Sequence, residues 1–255
     1  MKISQKPSLK YEKRLWRRGF KYVAGVDEVG RGCFAGPVVA AAVVLAPITN
    51  YKLQITNGKH LEFRINNSEL IYIDDSKKLT DFQREKADKW IKTNALGWGI
   101  GEVSPALINR IGMGKASRMA FRKAIRAANS KLQILNYKLD YLLIDAFYIP
   151  YLDGFPKGRN KLKGSKNPKY KNGSKQLAII KGDEKSYSIA AASIIAKVYR
   201  DNLMISISKK NKYKDYGWEK NKGYGTSSHR KAILKYGISG YHRVHFVNTF
   251  IRKLT

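Results

Sequence analysis

Two runs of strand-forming residues near the N-terminus are joined by a short segment, and this arrangement most limits the folds open to the chain. The runs are residues 21–26 and 38–45, and the second is apolar on both faces, as in a strand buried inside a sheet. A glycine-rich turn, Gly30-Arg31-Gly32, lies between them. Because so short a connection cannot make a parallel crossover, the two strands are predicted to be antiparallel neighbours.

Farther along the chain, strand-like and helix-like segments alternate. Residues 60–65 and 70–73 alternate in polarity and predict a hairpin within a less regular segment from 49 to 73. Together with the antiparallel pair, this order predicts an α/β fold with a mixed central sheet flanked by helices. The further predicted strands are 96–103, 141–144 and 177–180, and the predicted helices are 80–93, 105–128 with an interruption near Gly112, 184–207, 227–236 and 244–252.

The chain is predicted to form one large domain with short appendages, since 255 residues can bury a sizeable core. Residues 1–20 are basic with little apolar periodicity and predict an arm or a short leading helix. Residues 21–208 form the predicted core, and 209–255 form a small C-terminal helical region. Within the core, residues 156–175 hold eight Lys or Arg and no acid, which predicts a basic loop inside the domain.

Several protein classes are disfavoured by composition. The single cysteine, Cys33, excludes an intramolecular disulfide and fits a reducing compartment. The longest apolar run, residues 34–48, is too short to span a bilayer and contains Gly36, Pro37 and Pro47. The N-terminal residues lack the apolar core of a signal peptide. We therefore expect a cytoplasmic protein that is neither secreted nor inserted in a membrane.

The charge of the chain favours a polyanionic partner. Fifty Lys and Arg against nineteen Asp and Glu give a formal net charge of +31, which favours nucleic acid binding. An alternative is an AT-rich genome, which raises the number of Lys, Asn, Ile and Tyr residues at surface positions. The charge alone does not decide between these explanations and says nothing about chemistry.

Three predicted strands end in carboxylates rather than in neutral turn residues. Asp27 and Glu28 follow the first strand, and Asp145 and Asp183 follow two later ones. Any one of these acids is explained by capping, and Asp183 is placed to cap the helix that follows it. Three such strand ends at one edge of a sheet bring together acids that repel one another unless cations neutralise them.

The ligand types in this acid cluster predict a particular metal chemistry. Carboxylate oxygens select hard cations, so Mg²⁺ or Mn²⁺ is expected, whereas the His and Cys residues lack the spacing of a zinc site. Several carboxylates in a basic protein suggest phosphodiester hydrolysis with two metal ions. The Gly30-Arg31-Gly32 turn beside the first acids permits close backbone approach, and Arg31 is suited to bind a phosphate, although ordinary tight turns use the same glycines.

Six motifs, in order along the chain, resemble those of bacterial ribonuclease HII. The resemblance covers roughly residues 21–250 and is most specific in its first and fourth motifs. It implies an RNase H-like fold with a small C-terminal helical region that binds substrate. The related ribonuclease HIII has an extra N-terminal domain, so HII fits better. The motifs are GVDEVGRGCFAGPVVAAAVVL, DDSKKLT, LLIDA, IIKGDEKSYSIAAASIIAKVYRD, KGYGTSSHRKAILKYG and HRVHF.

The resemblance implies an endonuclease that cuts on the 5′ side of ribonucleotides in duplex DNA or in RNA/DNA hybrids. The products would carry 3′-hydroxyl and 5′-phosphate ends, and the role would be ribonucleotide removal from DNA during replication and repair. A monomer is the family expectation. The implied catalytic and metal-binding residues are Asp27, Glu28, Asp145 and Asp183. Adjacent strand residues point to opposite faces, so Asp27 and Glu28 share one site only if the strand distorts or ends there.

The resemblance also implies substrate-binding residues. The backbone of Gly30, Arg31 and Gly32 would sense the 2′-hydroxyl, and Tyr224 would pack against the neighbouring deoxyribose. Tyr224 is also one tyrosine among sixteen, and it precedes a glycine, Gly225, where many family members have proline. Lys77 and Lys78 are expected phosphate contacts, although solvated lysines before a helix explain them nearly as well.

The sequence is also compatible with two other functions, and it predicts structural roles for several residues. A non-catalytic nucleic-acid-binding protein on the same fold is one alternative, and a two-metal nuclease or strand-transfer enzyme of different specificity is another. Lys197 and Asp201 are expected to form an i,i+4 ion pair, and His229 and His242 are expected to have structural hydrogen-bonding roles. The basic loop 156–175 is predicted to follow backbone phosphates, with solvation by lysine as the alternative.

Overall fold

The computed structural model describes residues 6–47, 54–56, 60–65, 69–150, 152 and 175–252. For the described residues from 54 to 71, it describes the backbone but not the side chains. Five of the strands in these residues form the central sheet, and three form a small separate sheet. The strands are β1 (Val23–Val29), β2 (Val38–Val44), β3 (Gln54–Thr56), β4 (His60–Ile65), β5 (Glu69–Ile71), β6 (Gly97–Val103), β7 (Tyr141–Asp145) and β8 (Gln176–Ile179).

The central sheet is mixed, with the strand order β6-β2-β1-β7-β8. β1 pairs antiparallel with β2, which pairs antiparallel with β6. On its other side β1 is parallel to β7, and β7 is parallel to β8. The predicted α/β fold with a mixed sheet is confirmed. The carboxyl ends of the three parallel strands lie at one edge of the sheet, where ligands commonly bind in α/β folds.

Several helices begin where local sequence signals place them, whereas the helix predicted to end near 128 continues to Ile134 and the one predicted from 184 begins at Tyr187. Thr80 forms a capping box with Gln83, and Ser104 and Ser186 cap two further helices. Gly112, with a φ of +79°, ends one helix and starts the next, as predicted. The helices are α1 (Lys10–Trp16), α2 (Asp81–Asn94), α3 (Pro105–Ile111), α4 (Met113–Ile134), α5 (Tyr187–Ser208), α6 (Trp218–Asn221), α7 (Ser227–Tyr236) and α8 (Val244–Ile251).

Helices α4 and α5 pack on opposite faces of the central sheet and enclose its two apolar layers. Residues of β2 alternate between these layers, so the strand is buried on both faces, as predicted. Small residues bring the helices close to the strands. A Cβ on Gly101 would lie 2.0 Å from the Ala120 carbonyl oxygen of α4, and one on Gly25 would lie 2.1 Å from the carbonyl carbon of Ser188 in α5. Close packing of backbone on backbone therefore fixes α5 over β1.

The segments outside the central sheet differ from the prediction in detail. The predicted hairpin within 49–73 is present as β4 and β5, and β3 adds a strand that the sequence did not predict. Nearly all of the predicted basic loop 156–175 lies outside the described residues, so its role stays a prediction. None of the described helices combines the length and apolar character that a membrane crossing requires.

Candidate active site

The first two acids of the site follow directly from the pairing of parallel strands. Val26 pairs with Ile144. The next residue on each strand is an acid: Asp145 ends β7, and Asp27 lies two residues before the end of β1. Val26 and Ile144 belong to the apolar layer on the α4 side, so Asp27 and Asp145 face α5. Asp27 is only 6% exposed. We call Asp27, Glu28, Asp145 and Asp183 the acid edge.

Glu28 lies on the opposite face of β1 from Asp27. The strand continues through Val29, which pairs with Val39 of β2, so it neither ends nor distorts at the two acids. Glu28 Oε1 lies 3.3 Å from Arg31 Nη1, and Glu28 Oε2 is buried without a hydrogen-bond partner among the described residues. β1 therefore does not end or distort in the way that would bring the side chains of Asp27 and Glu28 to one face.

A tight turn after β8 contains Asp183 and donates a hydrogen bond to the other remaining acid of the site, Asp145. The Gly182 N–H donates to Asp145 Oδ1 at 2.7 Å, and the Glu184 N–H donates to Asp183 Oδ1 at 3.0 Å. The prediction that Asp183 caps α5 is wrong. Ser186 is the cap, because the backbone turns once more after Lys181, whose φ is +55°, and Ser186 Oγ accepts from the Ile189 N–H. Asp183 remains available at the edge of the sheet.

Burial and mutual repulsion oppose ionisation at the acid edge. Burial, followed by the charges of Glu28, Asp145 and Asp183, raises the pKa of Asp27 well above its ordinary value. Burial also raises the pKa of Glu28 to about 7, against the opposing effect of Arg31. The pKa of Asp145 is raised by burial as well, although the Gly182 N–H lowers it. The acid edge is therefore short of positive charge.

Lys77 supplies part of the missing charge. Its Nζ lies 3.2 Å from Asp183 Oδ2 and 3.7 Å from Asp75 Oδ1. Lys78 Nζ lies 3.8 Å from Asp74 Oδ1. Of the two predicted phosphate contacts, Lys77 therefore forms an ion pair with the acid edge, and Lys78 forms one with Asp74.

A cleft of about 480 Å³ opens beside Asp27 and Glu28 of the acid edge. Val29 and Ser193 contribute to its walls, and Lys197 forms the predicted ion pair with Asp201, 3.0 Å from its Oδ1 atom. The cleft is large enough to admit a short stretch of nucleic acid backbone. Its charged and aromatic lining comprises Asp27, Glu28, Lys77, Arg84, Lys197 and Tyr224.

The donor set of the acid edge fits hard divalent cations. All four side chains offer carboxylate oxygens, and the buried Oε2 of Glu28 has no other partner. Among the described residues, however, no three His, Cys, Asp or Glu side chains already converge as a metal-binding group. Asp183 Oδ2 is paired with Lys77, and Glu28 faces away from Asp27. Cation binding here therefore requires reorientation of these carboxylates and displacement of Lys77.

The Gly30-Arg31-Gly32 turn is held from behind by two buried arginines. Gly30 has a φ of +88°, and a Cβ there would lie 2.3 Å from Nε of Arg200, so only glycine fits. Arg243 Nη1 donates to the carbonyl oxygens of Gly30 and Arg31, at 2.5 and 3.0 Å. A Cβ on Gly32, in contrast, would meet no atom within 4 Å. The turn therefore directs two of its carbonyls inward and keeps an open outer face.

Tyr224 stands beside this turn and is 38% exposed at the cleft. Burial of its hydroxyl and a hydrogen bond with Cys33 raise the pKa of Tyr224 to about 12. Gly225 is packed closely, because a Cβ there would lie 2.7 Å from the ring of Phe34, and Arg230 Nε donates to its carbonyl oxygen at 2.8 Å. We call the Gly30–Gly32 turn and Tyr224 the tyrosine rim.

A buried histidine pair supports the tyrosine rim. His242 Nδ1 accepts from the Ser239 N–H at 2.8 Å, so its Nε2 carries the proton and donates to His229 Nε2 at 3.2 Å. His229 Nδ1 in turn donates to the carbonyl oxygen of Tyr224 at 2.9 Å, and Trp218 Nε1 donates to His229 Nε2 at 3.0 Å. The structural role expected for both histidines is confirmed.

The sequence motifs did not single out a role for Arg200 or Arg243 at the tyrosine rim. Both side chains are fully buried. Arg200 donates to the carbonyl oxygens of Ala35, Pro37 and Lys222, at 3.0, 3.0 and 2.8 Å. One sequence signal could have indicated a structural role for Arg200: it is an arginine on a face of α5 that otherwise carries small and apolar residues.

Comparison with known proteins places this architecture in one family. A family model for ribonuclease HII matches residues 24–249. A ribonuclease HII from Chloroflexus aurantiacus is 40% identical over 237 residues, covering 93% of this chain and 92% of that protein. A ribonuclease HII from Bacillus subtilis is 40% identical over 236 residues, covering 92% of this chain and 73% of that protein.

Solved structures show the same fold at lower identity. The ribonuclease H2 of Pyrococcus horikoshii superposes with a TM-score of 0.59 at 22% identity, covering 91% of this chain and 98% of that one. Bst-RNase HIII in complex with Mn²⁺ gives a TM-score of 0.60 at 19% identity, covering 90% of this chain and 68% of that one.

Proposed function

The chain belongs to the ribonuclease HII family and is a ribonuclease H, and we propose that it cuts on the 5′ side of ribonucleotides in duplex DNA and in RNA/DNA hybrids. The products carry 3′-hydroxyl and 5′-phosphate ends. The observation that carries this proposal is a cleft lined both by Asp27 and Glu28 of the acid edge and by Tyr224 of the tyrosine rim. One part is suited to phosphodiester chemistry, and the other to reading a sugar.

The acid edge is the proposed catalytic centre. Asp27, Glu28, Asp145 and Asp183 would hold Mg²⁺ or Mn²⁺, in keeping with their oxygen donors and with the Mn²⁺ complex of the HIII neighbour. Two such ions, when bound, would activate the attacking water and stabilise the leaving 3′-oxygen. Lys77, released from Asp183, binds a substrate phosphate, and Lys78 is its second proposed phosphate contact.

The tyrosine rim is the proposed source of selectivity. Selecting a ribonucleotide requires a group that senses the 2′-hydroxyl. The backbone of Gly30, Arg31 and Gly32 does so at the open outer face of the turn, where no side chain intervenes. The ring of Tyr224 packs against the next sugar and favours deoxyribose, since a 2′-hydroxyl there would crowd it.

The overall charge supports the proposed substrate. A formal net charge of +31 surrounds the few acids of the site, so the protein attracts a polyanion while the acid edge stays locally negative. Removal of ribonucleotides from DNA by a monomer is the proposed cellular role. The comparisons also include the RNase HII of Archaeoglobus fulgidus, solved in complex with PCNA. That assembly is a property of the archaeal protein.

The test is cleavage of an end-labelled DNA duplex that carries one embedded ribonucleotide. An all-DNA duplex and an RNA/DNA hybrid serve as comparisons, each with Mg²⁺, with Mn²⁺ or with a chelator. We expect one metal-dependent cut immediately 5′ of the ribonucleotide and none in the all-DNA duplex. Salt-sensitive binding without a cut under any of these conditions would favour the non-catalytic alternative. Cutting of the all-DNA duplex would show a nuclease of different specificity.

A further inference from the structure

A buried carboxylate outside the acid edge contacts the turn that carries Asp183. Glu12 of α1 is only 1% exposed. Its Oε1 atom accepts from the hydroxyls of Ser186 and Ser188, at 2.6 and 2.7 Å, and from the Ser188 N–H at 2.9 Å. Its other oxygen is buried without a partner among the described residues. Three donors on one buried oxygen make a site that fixes the positions of those donors.

The backbone near Glu12 also forms hydrogen bonds with the same turn. Ser8 pairs with Ser186 as an isolated parallel bridge. The Ser8 N–H donates to the carbonyl oxygen of Lys185 at 3.2 Å, and the Tyr187 N–H donates to the carbonyl oxygen of Ser8 at 3.1 Å. The N-terminal segment therefore holds the residues on both sides of Ser186, by backbone as well as by the Glu12 side chain.

A short path of hydrogen bonds leads from Ser186 to the acid edge. The Ser186 N–H donates to the carbonyl oxygen of Gly182 at 2.8 Å, and the Gly182 N–H donates to Asp145 Oδ1 at 2.7 Å. Asp183 follows Gly182 in the chain. Movement of Ser186 would thus shift the donor on Asp145 and the backbone of Asp183 together.

We propose that Glu12 is a positioning residue that aligns Asp145 and Asp183 through the turn from Gly182 to Ser186. This inference rests on the proposed function, because it assigns those two acids to metal binding. Partners that orient metal ligands from outside the ligand set control metal affinity as well as activity. Glu12 precedes the region matched by the family model, which begins at residue 24. The N-terminal segment is therefore a working part of the site.

The test compares Glu12→Ala, Glu12→Gln and Leu15→Ala in the full chain. Leu15 is the matched control, because it packs α1 into the apolar cluster under β7 and β8 and its side chain is apolar. Each variant is titrated with Mn²⁺ by calorimetry. Its kcat and KM on the ribonucleotide duplex and its unfolding temperature in chelator are also measured.

We expect Glu12→Ala to weaken Mn²⁺ binding and lower kcat by about 10- to 100-fold, with KM for the duplex changed less than about threefold. Glu12→Gln keeps an oxygen for the same donors and should stay within about fivefold of wild type. Leu15→Ala should lower the unfolding temperature while Mn²⁺ affinity stays at the wild-type value. Wild-type Mn²⁺ affinity in Glu12→Ala, or an equal loss of affinity in Leu15→Ala, would overturn the proposal.

Ser188→Ala covers the case in which Glu12→Ala does not fold. It removes one hydroxyl donor and leaves the backbone donor, so a two- to fivefold loss of Mn²⁺ affinity is expected, about 0.4 to 1 kcal/mol. Unchanged affinity in Ser188→Ala would count against the role of Glu12. The wild-type chain is assayed first: failure to cleave there refutes the proposed function, whereas wild-type cleavage with unaffected variants refutes only this inference.

Discussion

The acid edge contributes Asp27 and Glu28 to the wall of the cleft, and the tyrosine rim contributes Tyr224, but different interactions hold the two regions in place. Asp27 and Asp145 are positioned by the pairing of neighbouring strands, and Asp145 also by the Gly182 N–H, 37 residues along the chain. The rim is positioned by side chains from distant segments, chiefly Arg200, Arg243 and the histidine pair. The sheet thus positions the proposed catalytic acids, whereas buried polar side chains position the residues proposed to read the substrate.

The two regions also balance charge differently. The acid edge gathers buried carboxylates, and among the described residues Lys77 and Arg31 form ion pairs with them. Behind the rim, two buried guanidinium groups are satisfied mainly by backbone carbonyl oxygens. The first arrangement is strained until a cation binds. In the second, each carbonyl partner removes part of the cost of burying the charge, although Arg243 Nη2 is buried without a partner among the described residues.

The largest expected effect comes from changing the acid edge. Asp27→Asn should reduce cleavage by about 10³-fold, equivalent to about 4 kcal/mol, while duplex binding persists. Its unfolding temperature in chelator should equal or exceed that of wild type, because one buried charge is gone. Asp88→Asn is the control, since Asp88 is a buried acid of α2 outside the cleft. Turnover like that of wild type would remove Asp27 from the mechanism.

The rim should be the more acid-sensitive of the two regions. Burial and the neighbouring His229 lower the pKa of His242 to about 4 from its ordinary 6.5. The folded chain keeps this histidine neutral, so the stability it provides is complete above pH 6.5 and is lost as the pH falls towards 4. The unfolding free energy of wild type relative to His242→Gln should therefore drop by roughly 2–3 kcal/mol between pH 7 and pH 4.5. A constant difference would contradict this assignment.

Arg243→Lys should impair the tyrosine rim without affecting the acid edge. A lysine cannot reproduce the forked contacts to Gly30, Arg31 and Gly36, so kcat/KM should fall by about 10- to 100-fold, roughly 1.4 to 2.7 kcal/mol. Mn²⁺ affinity should stay the same, because none of the acids depends on this guanidinium. Arg118→Lys, on the exposed face of α4, is the matched control. A parallel loss of Mn²⁺ affinity would show that the two regions are coupled.

The smallest expected effect concerns the hydroxyl of Tyr224. Tyr224→Phe removes the bond to Cys33 but leaves the ring, so kcat/KM on the ribonucleotide duplex should change less than about threefold. Tyr224→Ala removes the packing surface and should cost about tenfold, in line with the loss of one stacking contact. Equal losses in both variants would assign the contribution to the hydroxyl instead of the ring.

The acid edge could be predicted from sequence because its signals are local. Each acid follows an apolar run in the sequence, and a mixed sheet brings the ends of its parallel strands together. The fold class followed from the same periodicity. The extent of β1 was missed, since pairing with β2 carries it past Asp27 and Glu28 to Val29.

The supports of the tyrosine rim could not be predicted, because they leave no local pattern. Arg200 and Arg243 bond to backbone carbonyls more than 160 residues away, and any residue supplies such a carbonyl. The same holds for Glu12, whose partners lie 174 and 176 residues along the chain. Asp183 was misassigned as a helix cap for a related reason: the extra turn before Ser186 depends on contacts with the N-terminal segment.

The hydrogen bond between Arg243 and Gly30 joins residues that are 213 positions apart. Its two partners are therefore synthesised at different times. All four acids have been made once Asp183 is complete, and the strands that carry them then lie in one continuous segment. Arg243, which supplies the hydrogen bonds to the inner carbonyls of the turn, is added only about sixty residues later, in a chain built from its N-terminus. A growing chain therefore contains all of the proposed catalytic acids before the support of the proposed substrate-reading turn is complete.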